Sequence, residues 1–173
     1  MNHTMARGQA PILALLFFAM MPLHFAWTIC PVAEKTVAPY GSVRSSIHPD
    51  SMISEILEYV NDDRKMQGLS PLKLSDVESS IAAKHSRDMA SGKVPFGHSG
   101  LNARAKAIRK ALGEIMSLGE NVASVPMSAR EVVDGWLKSP GHKRNIEGDF
   151  TLTGIGIASD KQGNIYFTQI FSR

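Results

Sequence analysis

The chain has 173 residues, 19 basic against 16 acidic, a formal net charge of +3 at pH 7 and a single cysteine. That length suits one domain of ordinary size whose core can sustain itself without staples, and so mild a charge gives no argument for nucleic acid as a partner. One cysteine excludes an intramolecular disulfide and argues against a nucleophilic thiol in the domain.

Residues 1–33 read as a signal peptide or membrane anchor. Arg7 is the only charged residue before Glu34, and Ala10 to Ala26 is almost wholly apolar. Pro22 and His24 interrupt the run, so the expectation is a cleaved export signal, with a retained anchor as the alternative. Cys30 falls where the lipid-modified cysteine of a bacterial lipoprotein would sit, although Ile29 is bulkier than the small residue such processing prefers. Either way the domain is expected outside the cytoplasm, with membrane association through its N-terminus as one option. Residues 34–48, rich in Val, Ser, Pro and Gly without periodicity, read as a linker, and residues 49–173 as one folded domain.

In that domain Asp50 or Ser51 is expected to cap a helix with Ile53, Ile56, Leu57 and Val60 inward and Gly68 at its end. Leu69 to Leu74 is then a short connection. Ser75 and Glu78 have capping-box spacing and open a helix with Val77, Ile81, Ala82, His85 and Met89 along one face, closed by Gly92. His85 on that stripe is expected to be a packed histidine with its polar tip satisfied. A shorter helix is expected from Asn102 to Leu112, with Leu101, Ala105, Ile108 and Leu112 inward. The basic run Arg104, Lys106, Arg109 and Lys110 reads as its solvated face.

Glu114 to Leu118 is a short strand candidate, which Gly119 and Glu120 would leave. Ser128 and Glu131 form another capping box, opening a helix with Val132, Val133, Trp136 and Leu137 inward, which Pro140 and Gly141 are expected to stop, with His142 beyond the stop. Trp136 reads as a core anchor. Thr151 to Ala158 and Ile165 to Phe171 are β-branched or aromatic runs that should pair as an antiparallel hairpin. Several amphipathic helices around so small an antiparallel sheet imply an α+β fold layered α-β-α.

His98, Glu120 and His142 stand out because each occupies a turn or an element end. Two imidazoles and a carboxylate suit zinc or another divalent ion, and three protein ligands would leave one tetrahedral position open. Other templates fail. Gly97-His-Ser-Gly is not in the frame of a nucleophile elbow, and there is no His-Glu-x-x-His helix, phosphate-binding glycine loop or Cys-x-x-Cys pair. Asn121 and Asn145 read as residues that tie turns together.

The order of several short stretches resembles the CAP superfamily of cysteine-rich secretory proteins, antigen 5 and plant pathogenesis-related proteins, in its disulfide-free bacterial form. The stretches are Asn61-Asp-Asp-Arg64, Ala83-Lys-His-Ser-Arg-Asp-Met89, Phe96-Gly-His98, Gly119-Glu-Asn-Val-Ala123, Trp136 to Ile146, Thr153-Gly-Ile-Gly and Tyr166 to Phe171. The resemblance spans Ser51 to Arg173 and implies a three-layer α-β-α sandwich with a cleft that in many members holds two histidines and two glutamates. His98, Glu120 and His142 match three of the four, and Ser139 lines the cleft where the second glutamate would stand. A serine hydroxyl is no general base at neutral pH, which weighs against chemistry needing two carboxylates. The resemblance implies an exported binding module with a cleft for a divalent metal and a peptide, glycan or lipid. Two alternatives remain: a metal-assisted, peptidase-like hydrolase with Glu120 as its catalytic group, and a purely structural cleft.

Overall fold

A computed structural model of the chain describes residues 48–124 and 127–173. The leader, Cys30 and most of the linker lie outside these residues. The elements run α1 (Pro49–Met66), β1 (Lys73–Leu74), α2 (Asp76–Ala90), α3 (Leu101–Leu112), β2 (Leu118–Ser124), α4 (Ala129–Lys138), α5 (Pro140–Ile146), β3 (Leu152–Ser159) and β4 (Ile165–Ser172). No helix among the described residues is long and apolar enough to cross a membrane.

Helix α1 begins earlier than the expected caps, with His48 at the N-cap and Pro49 in its first turn. Proline suits that place because its fixed φ is already helical and its missing N–H would have had no intrahelical partner. Asp50 lies in the first turn instead, where a carboxylate faces the positive end of the helix dipole. The Ser128–Glu131 box forms in both directions, with Glu131 N donating to Ser128 Oγ at 3.3 Å and Ser128 N to Glu131 Oε2 at 2.8 Å. The Ser75–Glu78 box forms in one direction only. Ser75 Oγ accepts from Glu78 N at 3.3 Å, but the Ser75 amide already donates to Thr153 O at 2.8 Å. Glu78 therefore turns its carboxylate inward, where it is fully buried.

The hairpin forms as expected, β3 antiparallel to β4 over eight residue pairs. Two strand expectations need correction. The Leu69–Leu74 connection contains β1, which pairs in parallel with β3, and the third long strand is displaced toward the C-terminus. Glu114 to Ser117 is not strand; β2 starts at Leu118 and pairs with β4 through Ser124, so Glu120 sits inside it. The sheet order is β1-β3-β4-β2, with β2 at an edge.

That edge is closed by side chains. Arg173 N donates to Ser117 O and Ser117 N to Arg173 O, so the alternation of an antiparallel ladder turns the carbonyls of Glu120 and Val122 away from β4. Asn145 Nδ2 donates to the first at 3.1 Å and Trp136 Nε1 to the second at 3.3 Å. An exposed row of unpaired carbonyls would invite another strand; here two donors from α4 and α5 occupy them.

Helices cover both faces, giving the three-layer α-β-α sandwich. On one face α1 and α4 bury Ile56, Val60, Val132, Val133 and Trp136 against Ile155, Phe167 and Phe171. On the other, α2 lies directly on β3. A Cβ on Gly154 would come within 2.2 Å of Glu78 backbone, and one on Gly156 within 2.0 Å of the Ala83 amide. The two glycines of Thr153-Gly-Ile-Gly thus let helix and strand backbones approach where no side chain fits between them.

Candidate binding cleft

The candidate residues gather around β2, and three elements supply them. Glu120 comes from β2 itself, its side chain without exposure, while His98 comes from the loop between α2 and α3 with 48% of its side chain exposed. His142 comes from α5. The expected stop does occur, since α4 ends at Lys138 with Ser139 as C-cap, but Pro140 then occupies the first turn of α5. His142 consequently stands in a seven-residue helix and not in a loop beyond a terminus. Ser139, between the two helices, is half-buried.

Helix α5 is held from two sides. Toward the cleft, Asn121 Nδ2 donates to His142 O at 3.2 Å, and Asn145 Nδ2 donates to Asn121 Oδ1 at 2.8 Å as well as to the Glu120 carbonyl. These are the tying roles expected of the two asparagines. Gly119 makes room for them, because a Cβ there would lie 2.9 Å from Asn145 Oδ1. From behind, the buried Arg64 donates to the carbonyls of Ile146 at 2.7 Å, Gly148 at 2.9 Å, Phe150 at 3.2 Å and Ser70 at 2.8 Å. One guanidinium on α1 thus gathers the end of α5 and the loop that follows. Its position continues the buried stripe Ile56-Val60-Arg64, and a charge in register with such a stripe must find partners inside the protein.

The Glu120 carboxylate is fully engaged. Arg104 donates from Nε to Oε2 and from one terminal nitrogen to Oε1, both at 2.7 Å, and His98 Nδ1 lies 2.9 Å from Oε1. This two-pronged pairing is the strong form of a charge-assisted contact. Arg104 therefore departs from the solvated face expected of its basic run; its side chain is 10% exposed, whereas Lys106, Arg109 and Lys110 are exposed. The signal for this was readable, because Arg104 falls three residues after Leu101 and four before Ile108, on the inward stripe.

His85 is buried as expected, with both ring nitrogens engaged: Nε2 lies 2.9 Å from Gly97 O and Nδ1 3.2 Å from the other terminal nitrogen of Arg104. Burial is the main force holding its pKa below the ordinary 6.5, against the Gly97 carbonyl, and the Arg104 charge adds to the depression. The His142 pKa is also held below 6.5, by burial first and by the proximity of His98 second. The two cleft imidazoles are thus close enough for one to disfavour charge on the other.

The geometry qualifies a three-ligand metal set. Among the described residues no three His, Cys, Asp or Glu side chains form a group that could hold a metal ion, in keeping with a carboxylate turned to Arg104 and His98. The two imidazoles are differently placed. With Nδ1 on the carboxylate, Nε2 is the His98 ring nitrogen left for a ligand, and His142 favours the neutral form that binds metal.

A family model described as CAP, the cysteine-rich secretory protein family, matches residues 57–171. The Bacillus subtilis protein YkwD is 32% identical over 148 residues, covering 82% of this chain and 56% of its own length, so this chain spans little more than half of that relative. Among solved structures, an extracellular protein containing an SCP domain from Bacillus anthracis is 24% identical with a TM-score of 0.60, covering 72% of this chain and 41% of that one. An outer surface protein of Borrelia burgdorferi is 20% identical with a TM-score of 0.60, covering 71% and 92%. Both share the fold described above. With the family model matched over most of the domain and the α-β-α sandwich in place, the chain belongs to the cysteine-rich secretory protein (CAP) family.

Proposed function

We propose that this chain is an exported binding module whose edge cleft takes a divalent metal on the imidazoles of His98 and His142, beside a site for an extracellular peptide, glycan or lipid. The carrying observation is the state of Glu120: its side chain has no exposure, and Arg104 and His98 take both oxygens. A general base must be within hydrogen-bond reach of the proton it removes, and a hydrolase built on Glu120 would have to break the Arg104 pair first. Binding requires no such rearrangement.

With Glu120 committed and serine at position 139, the donors left are nitrogen. Imidazole suits zinc, copper and nickel, whereas calcium and magnesium require oxygen ligands. A borderline ion held by two imidazoles would keep open positions for an oxygen donor of the ligand. An extracytoplasmic location is supported by the apolar leader from Ala10 to Ala26 and by fold relatives described as extracellular and outer-surface proteins.

The test is thermal unfolding of the full chain with and without Zn²⁺, in the parent, His98→Ala and His142→Ala. Native-state binding at a hundredfold excess over Kd adds about 2.7 kcal/mol, readily seen as a melting shift. The expected result is a zinc shift in the parent, lost in both variants and not produced by Ca²⁺ or Mg²⁺. No shift in the parent, or one retained in both variants, would overturn the metal reading.

A further inference from the structure

We infer that Arg104 is a positioning residue for the candidate site: it holds Glu120 against His98 Nδ1 and so fixes the ring orientation and tautomer in which Nε2 is the nitrogen left for a ligand. The inference deepens the binding reading above and rests on it for its consequence, though the tautomer itself can be observed without metal.

The guanidinium of Arg104 has five N–H groups and no acceptor. Arg104 Nε and one terminal nitrogen grip the two oxygens of Glu120. That same terminal nitrogen approaches His98 O at 3.4 Å, while the other donates to Ser99 O at 2.8 Å and faces His85 Nδ1 at 3.2 Å. All five positions are occupied, so Arg104 has no donor left for a ligand. A carbonyl only accepts, so the contact with Gly97 O puts the His85 proton on Nε2 and leaves its Nδ1 to accept from Arg104. Three successive carbonyls, those of residues 97, 98 and 99, are thereby held by His85 and Arg104. The loop needs such restraint, for Gly97 has φ 130° and Gly100 φ 80°, values that glycine tolerates without forming any contact to maintain them.

One side chain therefore sets both the loop that carries His98 and the carboxylate that orients its ring. A carboxylate accepting at one ring nitrogen fixes which nitrogen is left for metal. Lysine cannot replace this arrangement, having a single charged nitrogen and no fork.

The experiment is two-bond ¹⁵N–¹H correlation NMR of histidine-labelled full chain at pH 7.5 without metal, in the parent and in Arg104→Lys. The parent should show the Nδ1–H form of His98, and the variant, while retaining a dispersed folded spectrum, should move toward the Nε2–H form. A Zn²⁺ titration should show Kd rising roughly 10- to 100-fold in Arg104→Lys, the usual effect of losing a partner of a metal ligand. A parent His98 protonated on Nε2 would overturn the inference with no variant required, as would a folded Arg104→Lys protein with an unchanged tautomer. If the tautomer depends on Arg104 but the parent binds no zinc, the metal reading fails and the positioning role stands. If zinc binds and the tautomer ignores Arg104, the reverse holds.

Discussion

The two faces of the sheet are held by different means. Between the sheet and α1 and α4, large apolar side chains interlock: Trp136, Phe167 and Phe171 are among the largest fully buried groups, and Phe150 stacks obliquely on Phe171 at 5.6 Å. Between the sheet and α2 and α3 the apolar cluster reduces to Ala82, Ile108, Ile115 and Ile170. Close backbone approach over Gly154 and Gly156 and a set of buried polar groups do the rest, with Ser86 Oγ 2.9 Å from Gly156 O and 2.8 Å from Thr168 Oγ1. Glu78, His85 and Glu120 are buried on this same side. On the α1–α4 face the buried guanidinium of Arg64 stands at the end of the α1 stripe and directs its donors to backbone carbonyls of Ser70, Ile146, Gly148 and Phe150. A face joined by backbone proximity and hydrogen bonds can hold carboxylate, imidazole and guanidinium in fixed geometry, and the cleft draws Glu120 and His98 from it.

The difference predicts opposite sensitivities to side-chain size. On the α1–α4 face truncation should do the damage, with Trp136→Ala costing about 3–5 kcal/mol in urea unfolding. On the α2 face addition should, and Gly156→Ala should cost about 1–3 kcal/mol or more, because helix and strand must separate to admit one methyl group. A Gly156→Ala protein as stable as the parent would show that the close approach carries no packing constraint.

A smaller effect sharpens the account of the polar face. Neither Glu78 oxygen accepts a hydrogen bond of good geometry among the described residues, although the Ser172 hydroxyl lies near enough to favour the charged form. Burial raises the Glu78 pKa above 4.5, opposed by the Ser172 hydroxyl. As pH climbs through 4.5 the unfolded chain ionises first, so the stability this group lends in acid is lost toward its folded pKa. His85 and His142 act on the other limb: with folded pKa values below 6.5, their contribution is complete above that value and declines as pH falls below it. Glu78→Gln should therefore gain on the order of 1 kcal/mol above pH 7, the scale of one unsatisfied buried group, with the gain vanishing toward pH 4.5. Melting curves across that range check it, and a loss at every pH would contradict it.

What the sequence revealed follows the same division. The α1 and α4 stripes, the Ser128 box and the β3–β4 hairpin were legible because apolar period and cap chemistry agree there. Strand β2 was misplaced because Leu-Gly-Glu-Asn interleaves polar residues whose partners, Arg104, His98 and Asn145, come from distant segments. Strand β1 was missed because two residues paired in parallel to a strand far along the chain leave no local pattern. Pro140 was read only as a terminator, although a proline that ends one helix also suits the first turn of the next. The candidate residues were found as types, but the role of Glu120 was not, since nothing local shows that a basic residue on an inward stripe will claim its carboxylate.

The most direct test of the central claim, that Glu120 serves His98 and Arg104 and is not itself a reacting or ligating group, is a crystal structure of the full chain grown with Zn²⁺. Metal should be bonded to nitrogen of His98 and His142 at roughly 2.0–2.1 Å, with Glu120 still gripped by Arg104 and accepting from His98 Nδ1. A Glu120 carboxylate swung away from Arg104 onto the ion would contradict it.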